Sequence, residues 1–475
     1  MKKISLLIGL LVIVFAATAF AQPVEFKMSG FMDFVAATFR NIPSDNQPVP
    51  YAGLTGFEPD PNSGLADHAG ALANSRARLK FQANAGKELS ATIFFEMDSA
   101  TWGDGGDGRN NMGRWNADRA AVEVKNAFFD VAIPYFGIPT PMTLRLGIQP
   151  FAIRDSLFFF ADGAGLTLVT KADPVKINLM WAKPNEGKVY HSDDTDIYAV
   201  DVSGNVEGFT LGGHGMWQSS NGYPIRSSVA TAESDMYWLG GYADGKYAGF
   251  EFTADFIYDW GKVKSHNNIN NAGIDDVKYS GWLAAVSADF PWENWDFGGG
   301  MWYGSGANAD KHDKRGDFVQ PVGSEPGPDA FTKYSSIFWG SGLFRGEYGF
   351  GANGGGTQSQ NNYIGGTWGG FLYAGYKVNP WYKVYAHGMY LADTTKNGDT
   401  AGNSTNVDGT REDNNAIGFE FTLSNIFKVY NNLDLYVIGG WLFAGDALKM
   451  STGTPGDNKD MKDPYVLATR LVYTY

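Results

Sequence analysis

The chain has 475 residues, of which 61 are glycine, and aromatic residues make up 15% of it. Its formal net charge of −14 argues against nucleic-acid binding, which depends on a basic surface. The sequence contains no cysteine, which excludes disulfide cross-links and thiol chemistry. A composition rich in glycine and aromatic residues is typical of proteins with many strands and tight turns.

The first residues predict an export signal. Met1–Lys3 form a charged start, Ile4–Phe15 form an apolar run, and Ala19–Ala21 form an A-x-A cleavage site. The apolar run is short for an N-terminal membrane helix, which is the alternative. We therefore expect a signal peptide over residues 1–21 and a single barrel domain over residues 22–475. Removal of the leader leaves 35 basic and 51 acidic residues, a net charge of −16.

Apolar and polar residues alternate from Ser75 to Asp98, apart from a break at Gly86–Glu88. Period-two alternation predicts strands, and a three-residue link that contains glycine predicts a hairpin between them. The expected cross-strand pairs are Leu79 with Phe95, Phe81 with Ile93, Arg78 with Glu96, and Arg76 with Asp98. One face of this hairpin is therefore apolar and the other is charged.

The same alternation recurs along the whole chain. Strands are predicted near residues 24–39, 75–85, 89–98, 122–133, 142–149, 164–171, 175–183, 195–203, 207–217, 235–244, 247–260, 278–289, 295–304, 365–378, 381–393, 415–424, 433–445 and 464–475. The alternation slips near Lys125–Asn126, where we expect a β-bulge. The links between strands are alternately short and long, which is typical of a transmembrane β-barrel.

The pattern therefore predicts an all-β fold: a transmembrane, antiparallel, up-and-down β-barrel with short periplasmic turns and long extracellular loops. The count favours about 18 strands, and 16 strands stay open. The segment 305–364 could also hold a further hairpin. A soluble sandwich or a propeller is the rival all-β fold, but no blade motif recurs every ~40 to 50 residues.

Three segments resemble those of Gram-negative outer-membrane porins with 16 or 18 strands. The last strand, Tyr465–Tyr475, is apolar on one face and ends on an aromatic residue, although the family usually ends in Phe. Ser75–Phe81 and Leu144–Phe151 are similar to strand patterns of the same family, with Ile148 where the family often has Arg. An 18-strand count is also similar to sugar-specific and alginate-export porins. The resemblance implies a channel in the cell outer membrane and, as a family property, a homotrimer.

A barrel of about 16 to 18 strands encloses a lumen too wide for side chains to fill, so a water-filled channel is expected. Opposing charges across such a pore create a transverse field that screens solutes by size and charge. These charges could instead only solvate the wall. The candidate pore-lining residues are Arg76, Arg78, Lys80, Glu96, Asp98, Glu123, Arg145, Gln149 and Arg470.

The segment Phe151–Gly163 is the expected constriction loop, because its three successive phenylalanines are too apolar for a loop tip in water. It could equally pack against the barrel rim or extend the next strand. The candidate constriction residues are Arg154, Asp155, Phe158, Phe159 and Phe160.

No catalytic site, metal site or cofactor is predicted. The six histidines are scattered without metal-ligand spacing, and no G-x-S-x-G motif is apparent. Acidic residues are concentrated in the long loops, where they could bind Ca²⁺ or Mg²⁺ at the surface, although such charges more often only face solvent. The segment Asp104–Asn111 is weakly similar to a calcium loop.

These features predict an outer-membrane porin for passive diffusion of small hydrophilic solutes and ions, and not an enzyme. Two alternatives stay open: a substrate-specific channel for a sugar or an organic anion, and a surface-binding barrel that acts through its long extracellular loops. The expected partners are outer-membrane lipid, lipopolysaccharide and small hydrophilic solutes, with no nucleic acid. The acidic loops favour cations and the basic wall favours anions, so the sequence does not decide ion preference.

Overall fold

The computed structural model of the protein describes residues 23–41, 69–103, 111–112, 121–133, 140–186, 193–223, 232–265, 276–311, 313–321, 323–324, 331–339 and 364–475. The expected signal peptide and most of the calcium-loop-like segment lie outside these residues.

Eighteen long strands make up almost all the regular structure of the described residues. The first nine are β1 (Val24–Arg40), β2 (Ala69–Ala85), β3 (Leu89–Trp102), β4 (Glu123–Ala132), β5 (Met142–Ile153), β6 (Phe159–Ala172), β7 (Val175–Asn185), β8 (Thr195–Val206) and β9 (Phe209–Tyr223). The other nine are β10 (Ala232–Tyr247), β11 (Phe250–Ser265), β12 (Val277–Trp292), β13 (Trp295–Gly304), β14 (Thr367–Asn379), β15 (Tyr382–Asp393), β16 (Ala416–Tyr430), β17 (Leu433–Ala444) and β18 (Tyr465–Thr474).

These strands form one closed barrel. Each strand pairs antiparallel with the next strand in sequence, and β18 pairs antiparallel with β1. At this seam the backbone N–H of Gly30 donates to the carbonyl of Tyr475 at 2.8 Å, and the reciprocal bond measures 3.0 Å. The predicted fold class and the count of 18 strands are therefore confirmed.

The described part of segment 305–364 holds no additional hairpin. It contributes one two-residue strand, Lys314–Arg315, which pairs in parallel with Lys278–Tyr279 of β12. Among the described residues, no helix is long and apolar enough to cross a bilayer.

The two faces of the wall differ in exposure. On the outer face, Leu239 of β10 is 60% exposed and Leu372 of β14 is 75% exposed. On the other face of β10, Met236 is 0% exposed. Because a closed barrel has only an outer and an inner face, the exposed apolar side chains face lipid and the alternate side chains face the lumen.

The strand pairing confirms the predicted register of the first hairpin. The observed pairs include Leu79 with Phe95, Phe81 with Ile93, and Arg78 with Glu96. Between Ser75 and Ala77 the register shifts, so the expected pairing of Arg76 with Asp98 does not occur in the strand register.

The bulge expected near Lys125–Asn126 is also confirmed. Phe95 pairs with Val124 and Phe94 pairs with Asn126, so Lys125 is the extra residue. The bulge changes which side chains of β4 face the lumen, and the functional site depends on this change.

The expected long loop Phe151–Gly163 is wrong in extent. Strand β5 continues to Ile153 and β6 begins at Phe159, which pairs with Ile153. Only the turn Arg154–Phe158 remains between them. The alternative that this segment extends the strands is therefore correct for Phe151, Ile153, Phe159 and Phe160, whereas Leu157 and Phe158 lie in the turn and are buried there.

Candidate functional site

Charged side chains of β18 and β1–β6 form a strip on the lumen face, which we call the charged wall. Alternation along each strand places these side chains on the same face, opposite the lipid-facing column, apart from Lys125 at the bulge and Asp162, which lies on the other face of the β5–β6 hairpin and joins the group through its contact with Lys125. The members of the charged wall are Asp33, Arg76, Arg78, Lys80, Glu96, Glu123, Lys125, Asp130, Arg145, Asp162 and Arg470.

Glu96 lies at the centre of the charged wall and is only 3% exposed. Its Oε1 lies 3.5 Å from Nε of Arg76 and accepts a hydrogen bond from Nε of Arg78. Its Oε2 lies 3.3 Å from Nζ of Lys125. Three basic groups therefore compensate one buried carboxylate, which would be costly to bury without such partners.

The bulge in β4 allows two successive residues to face the lumen. Nζ of Lys125 lies 2.7 Å from Oδ2 of Asp162, and Nδ2 of Asn126 donates to Oδ1 of Asp162 at 2.7 Å. Without the extra residue, strict alternation would direct one of these two side chains toward lipid. The bulge therefore connects Glu96 on β3 to Asp162 on β6 through Lys125.

Two further ion pairs extend the charged wall on both sides. Arg145 donates from Nε and Nη2 to the two carboxylate oxygens of Asp130, at 2.7 and 3.1 Å. Its guanidinium also lies over the ring of Phe128, 4.3 Å from the centroid. Arg470 contacts Asp33 at 2.9 Å from Nε and 2.7 Å from Nη2, which joins β18 to β1 across the closing seam.

The remaining predicted pore-lining residues differ in placement. Lys80 is partly exposed and Glu123 is exposed on the lumen face, and the side chain of Asp98 lies outside the described set. Gln149 is 0% exposed. Its amide donates to the carbonyl of Gly165 at 2.9 Å and accepts from Oγ1 of Thr167 at 2.9 Å. Gln149 was predicted to line the pore. In the structure it is buried and connects β5 to β6.

The turn Arg154–Phe158, which we call the Arg154 turn, reaches the lumen face of β10 and β11. The Arg154 guanidinium donates to both oxygens of Asp244, at 2.7 and 3.0 Å, and to both oxygens of Asp255, at 2.5 and 2.7 Å. It also lies 4.5 Å from the centroid of the Tyr242 ring. Asp155 is exposed at the tip. The end of the β5–β6 hairpin is therefore inside the barrel.

The Arg154 guanidinium is held in its charged form. Burial lowers the pKa of Arg154, but the hydrogen bonds to Asp255 and Asp244 and the attraction of these carboxylates outweigh that effect. The pKa of Arg154 is therefore above its ordinary value, and the guanidinium stays charged over the physiological pH range.

The apolar residues of the turn pack against β9 and β10. The ring centroid of Phe158 lies 5.0 Å from that of His214 and 6.1 Å from that of Trp238. Phe158 and Phe159 are buried, and Phe160 is partly buried. These contacts explain why three successive phenylalanines occur at this position.

A second part of the chain also lies inside the barrel, and we call it the lumen segment: residues 317–321, 323–324 and 331–339. Its contacts follow the inner wall from β10 to β15. Trp238 donates from Nε1 to the carbonyl of Val319 at 2.8 Å, the Trp302 and Trp339 rings are 4.9 Å apart, and the Tyr334 and Tyr385 rings are 4.5 Å apart.

The lumen segment and the Arg154 turn are bonded to each other. Nε2 of Gln320 donates to the carbonyl of Leu157 at 2.7 Å. The backbone N–H of Phe160 donates to Oγ of Ser324 at 3.1 Å. The two parts therefore form one internal structure on the β9–β17 side of the barrel, opposite the charged wall.

Sequence reasoning missed several acidic members of this site. Asp33 and Asp130 lie in the polar columns of β1 and β4, so extension of the alternation to these strands could have found them. Asp162 was assigned to a loop, and the basic residue Lys125 was placed at the bulge but not among the pore-lining residues. Asp244 and Asp255 are about 100 residues from Arg154 in sequence, at separations of 90 and 101, and no local pattern points to them.

The described residues contain no group of three or more His, Cys, Asp or Glu side chains that could hold a metal ion. The site consists of the ion pairs of the charged wall and of two inward parts of the chain, the Arg154 turn and the lumen segment. Its chemistry is that of a polar, water-facing surface.

A family model described as Gram-negative porin matches residues 9–319, which is more than half of the chain. The chain belongs to the Gram-negative porin family. No curated protein matches it significantly.

Solved structures agree with this porin in fold. The crystal structure of Pseudomonas aeruginosa OccK8 (OprE) has a TM-score of 0.51 and 8% identity, over 95% of this chain and 98% of that chain. The crystal structure of Pseudomonas aeruginosa OpdQ has a TM-score of 0.50 and 8% identity, over 95% of this chain and 98% of that chain. At such identities the likeness concerns the fold alone.

The family and the fold together establish the location and the general activity. The porin is a channel in the outer membrane of a Gram-negative bacterium. Its outer face contacts outer-membrane lipid, and its lumen is open to small solutes.

Proposed function

We propose that small hydrophilic solutes and ions diffuse passively through this porin along the charged wall. The observation that carries the proposal is the division of the lumen between two arcs of the barrel. The Arg154 turn and the lumen segment contact β9–β17. The charged wall lies on β18 and β1–β6. Paired charges that remain partly exposed favour a water-filled path on that side.

Current measurements in planar bilayers test this proposal. We expect purified porin to give stepwise currents that are linear in voltage and rise with salt concentration, because a water-filled path conducts in proportion to its ion content. A protein that inserts as a folded barrel but gives no current would contradict the proposal and favour the surface-binding alternative.

A substrate-specific channel for a sugar or an organic anion is the second candidate. The two inward parts of the chain favour it, because a narrowed lumen forces a solute to touch the wall. Small currents that one solute blocks at low concentration would support this candidate. Large currents that a panel of sugars and organic anions leaves unchanged would support the general porin.

We further propose that the porin has no catalytic activity, that it contacts lipopolysaccharide at its outer rim, and that it assembles as a homotrimer. We also propose that the acidic loops bind Ca²⁺ or Mg²⁺ at the surface. Size-exclusion chromatography with light scattering in detergent, with and without EDTA, tests the assembly and its dependence on divalent cations.

A further inference from the structure

Glu420 of β16 is a buried carboxylate on the lumen face, and it is 0% exposed. No ion-pair partner for it occurs among the residues that the structure describes. The lumen segment supplies its hydrogen bonds instead. The backbone N–H of Ser336 donates to Oε1 at 2.5 Å, and that of Ile337 donates to Oε1 at 3.3 Å. The backbone N–H of Phe338 donates to Oε2 at 2.8 Å.

Hydroxyl groups complete the shell around this carboxylate. Oγ of Ser335 donates to Oε2 at 3.3 Å, and Oγ1 of Thr422 donates to Oε1 at 3.2 Å. Oγ of Ser336 lies 2.5 Å from Oγ1 of Thr422 and 3.4 Å from Oε1 of Glu420. Three successive backbone N–H groups that converge on one anion form a nest, which is a strong carboxylate site.

The wall next to Glu420 is shaped to receive the lumen segment. A Cβ atom at Gly440 of β17 would lie 1.8 Å from Oγ of Ser336, so only glycine leaves room at this position. Lys333 also pairs with Asp289 of β12, which fixes the start of the same stretch to the wall.

The carboxylate has an alternative partner, which is water. If residues 335–338 leave the wall, Glu420 becomes a charged group facing the lumen, and its hydration replaces the lost hydrogen bonds. The charge-assisted amide bonds favour the closed contact, and water molecules donate to the carboxylate when these bonds break. The contact can therefore open without leaving a buried, unpaired charge.

We infer that Glu420 is a positioning residue that latches the lumen segment against the wall and thereby sets the open cross-section of the channel. This inference rests on the proposed function, because it concerns the same conducting path. The latch acts through the charge and the two oxygens of the carboxylate, and not through its bulk.

The first test is Glu420→Gln, which keeps the shape of the side chain but replaces one acceptor oxygen by a donor group. We expect single-channel conductance to rise by about twofold or more, with greater open-channel noise, because the segment leaves part of the lumen. The matched control is Glu251→Gln, an exposed carboxylate paired with Lys246 next to a short turn. The control should conduct as the wild type does.

A cross-link makes the test independent of a general folding defect. The chain has no cysteine, so Ser336→Cys with Thr422→Cys introduces the only two thiols, at positions whose hydroxyls are 2.5 Å apart. In the Glu420→Gln background, oxidation should return the conductance to the wild-type value and dithiothreitol should restore the higher value. If Glu420→Gln does not insert, the same pair in the wild-type background should form the disulfide readily and leave the conductance unchanged, because the latch already holds the segment, and slow cross-linking there would overturn the latch.

The outcomes separate this inference from the proposed function. Wild-type current with an unchanged Glu420→Gln conductance, or a cysteine pair in the Glu420→Gln background whose conductance does not respond to oxidation, would overturn the latch and leave the channel intact. Absence of wild-type current would overturn the passive channel itself. In that case, efficient disulfide formation by the Ser336→Cys, Thr422→Cys pair with Glu420 present and a slower rate with Glu420→Gln would still support the latch, and equal rates would overturn it.

Discussion

At the scale of single residues, the charged wall is organised by shared carboxylates rather than by separate pairs. Arg76, Arg78 and Lys125 all contact Glu96, and Lys125 also contacts Asp162. A shared carboxylate holds several basic groups in fixed positions, which gives the wall a defined field. Such a cluster reverses its sign of charge only when more than one of its basic members is neutralised.

Neutralisation of both wall arginines should change ion preference. Among the described side chains around Glu96, five are basic (Arg76, Arg78, Lys80, Lys125 and Arg470) and four are carboxylates (Glu96, Asp162, Glu123 and Asp33). Arg76→Gln with Arg78→Gln turns the net excess from positive to negative. We expect the anion-to-cation permeability ratio to fall by about twofold or more, measured as the reversal potential in a salt gradient.

The control for this experiment is Lys246→Gln, which removes a positive charge that is 74% exposed and lies beside a short turn. It should leave the reversal potential unchanged. An unchanged reversal potential in the double variant would mean that the charged wall does not face the conducting path.

At the scale of elements, the β5–β6 hairpin is the part that departs most from a plain barrel. Gly147 has a φ of 127°, and a Cβ atom there would lie 2.3 Å from the carbonyl oxygen of Ala127. Glycine is therefore required where β5 comes close to β4. Beyond this position the hairpin end enters the lumen, and Arg154 anchors it to β10 and β11.

Loss of the Arg154 anchor should loosen the turn. Arg154→Met keeps much of the side-chain volume but leaves Asp244 and the buried Asp255 without their cation. We expect a loss of about 3 kcal/mol in the free energy of unfolding, since a buried carboxylate loses its partner. We also expect greater open-channel noise, because the turn is no longer held against the wall.

The matched control is Asp155→Asn, an exposed neighbour in the same turn. Urea unfolding in lipid vesicles, followed by tryptophan fluorescence, measures the free energy, and planar bilayers measure the noise. Equal stability and noise in Arg154→Met and Asp155→Asn would show that the ion pairs with Asp244 and Asp255 do not hold the turn.

At the scale of the whole molecule, barrel closure depends on the pairing of the first strand with the last. Beyond the backbone bonds, the Asp33–Arg470 pair connects these two strands on the lumen face. The side chain of Asp33 is 0% exposed, and that of Arg470 is 15% exposed. The seam therefore includes a nearly buried charge pair in addition to the sheet.

Disruption of this pair should destabilise the closed barrel as a whole. Asp33→Asn leaves the Arg470 guanidinium without its carboxylate, and we expect a loss of about 3 kcal/mol in the free energy of unfolding in vesicles. Glu25→Gln, at an exposed pair with Lys27 on the same strand, should cost less than about 1 kcal/mol. If both variants cost the same small amount, the seam is held by its backbone bonds alone.

Much of the fold could be predicted because a barrel wall is a local pattern. Lipid-facing and lumen-facing residues alternate within each strand. The pairs Leu79–Phe95 and Arg78–Glu96 therefore follow from this alternation and from the position of the turn between the two strands. The slip at Lys125 was visible for the same reason. Glu420 could not be assigned a role in this way, because its partners at residues 335–338 are more than 80 residues away.

The sequence by itself determined the barrel, its closure by an even number of strands and the two faces of its wall, because these depend on neighbours within a strand or a hairpin. Only the tertiary structure decided what fills the lumen. The contacts of Arg154 with Asp244 and of Glu420 with Phe338 join residues that are far apart in sequence and meet inside the closed barrel. The alternation of a barrel strand repeats every two residues and is therefore visible in the sequence, whereas a contact across the lumen follows no local pattern.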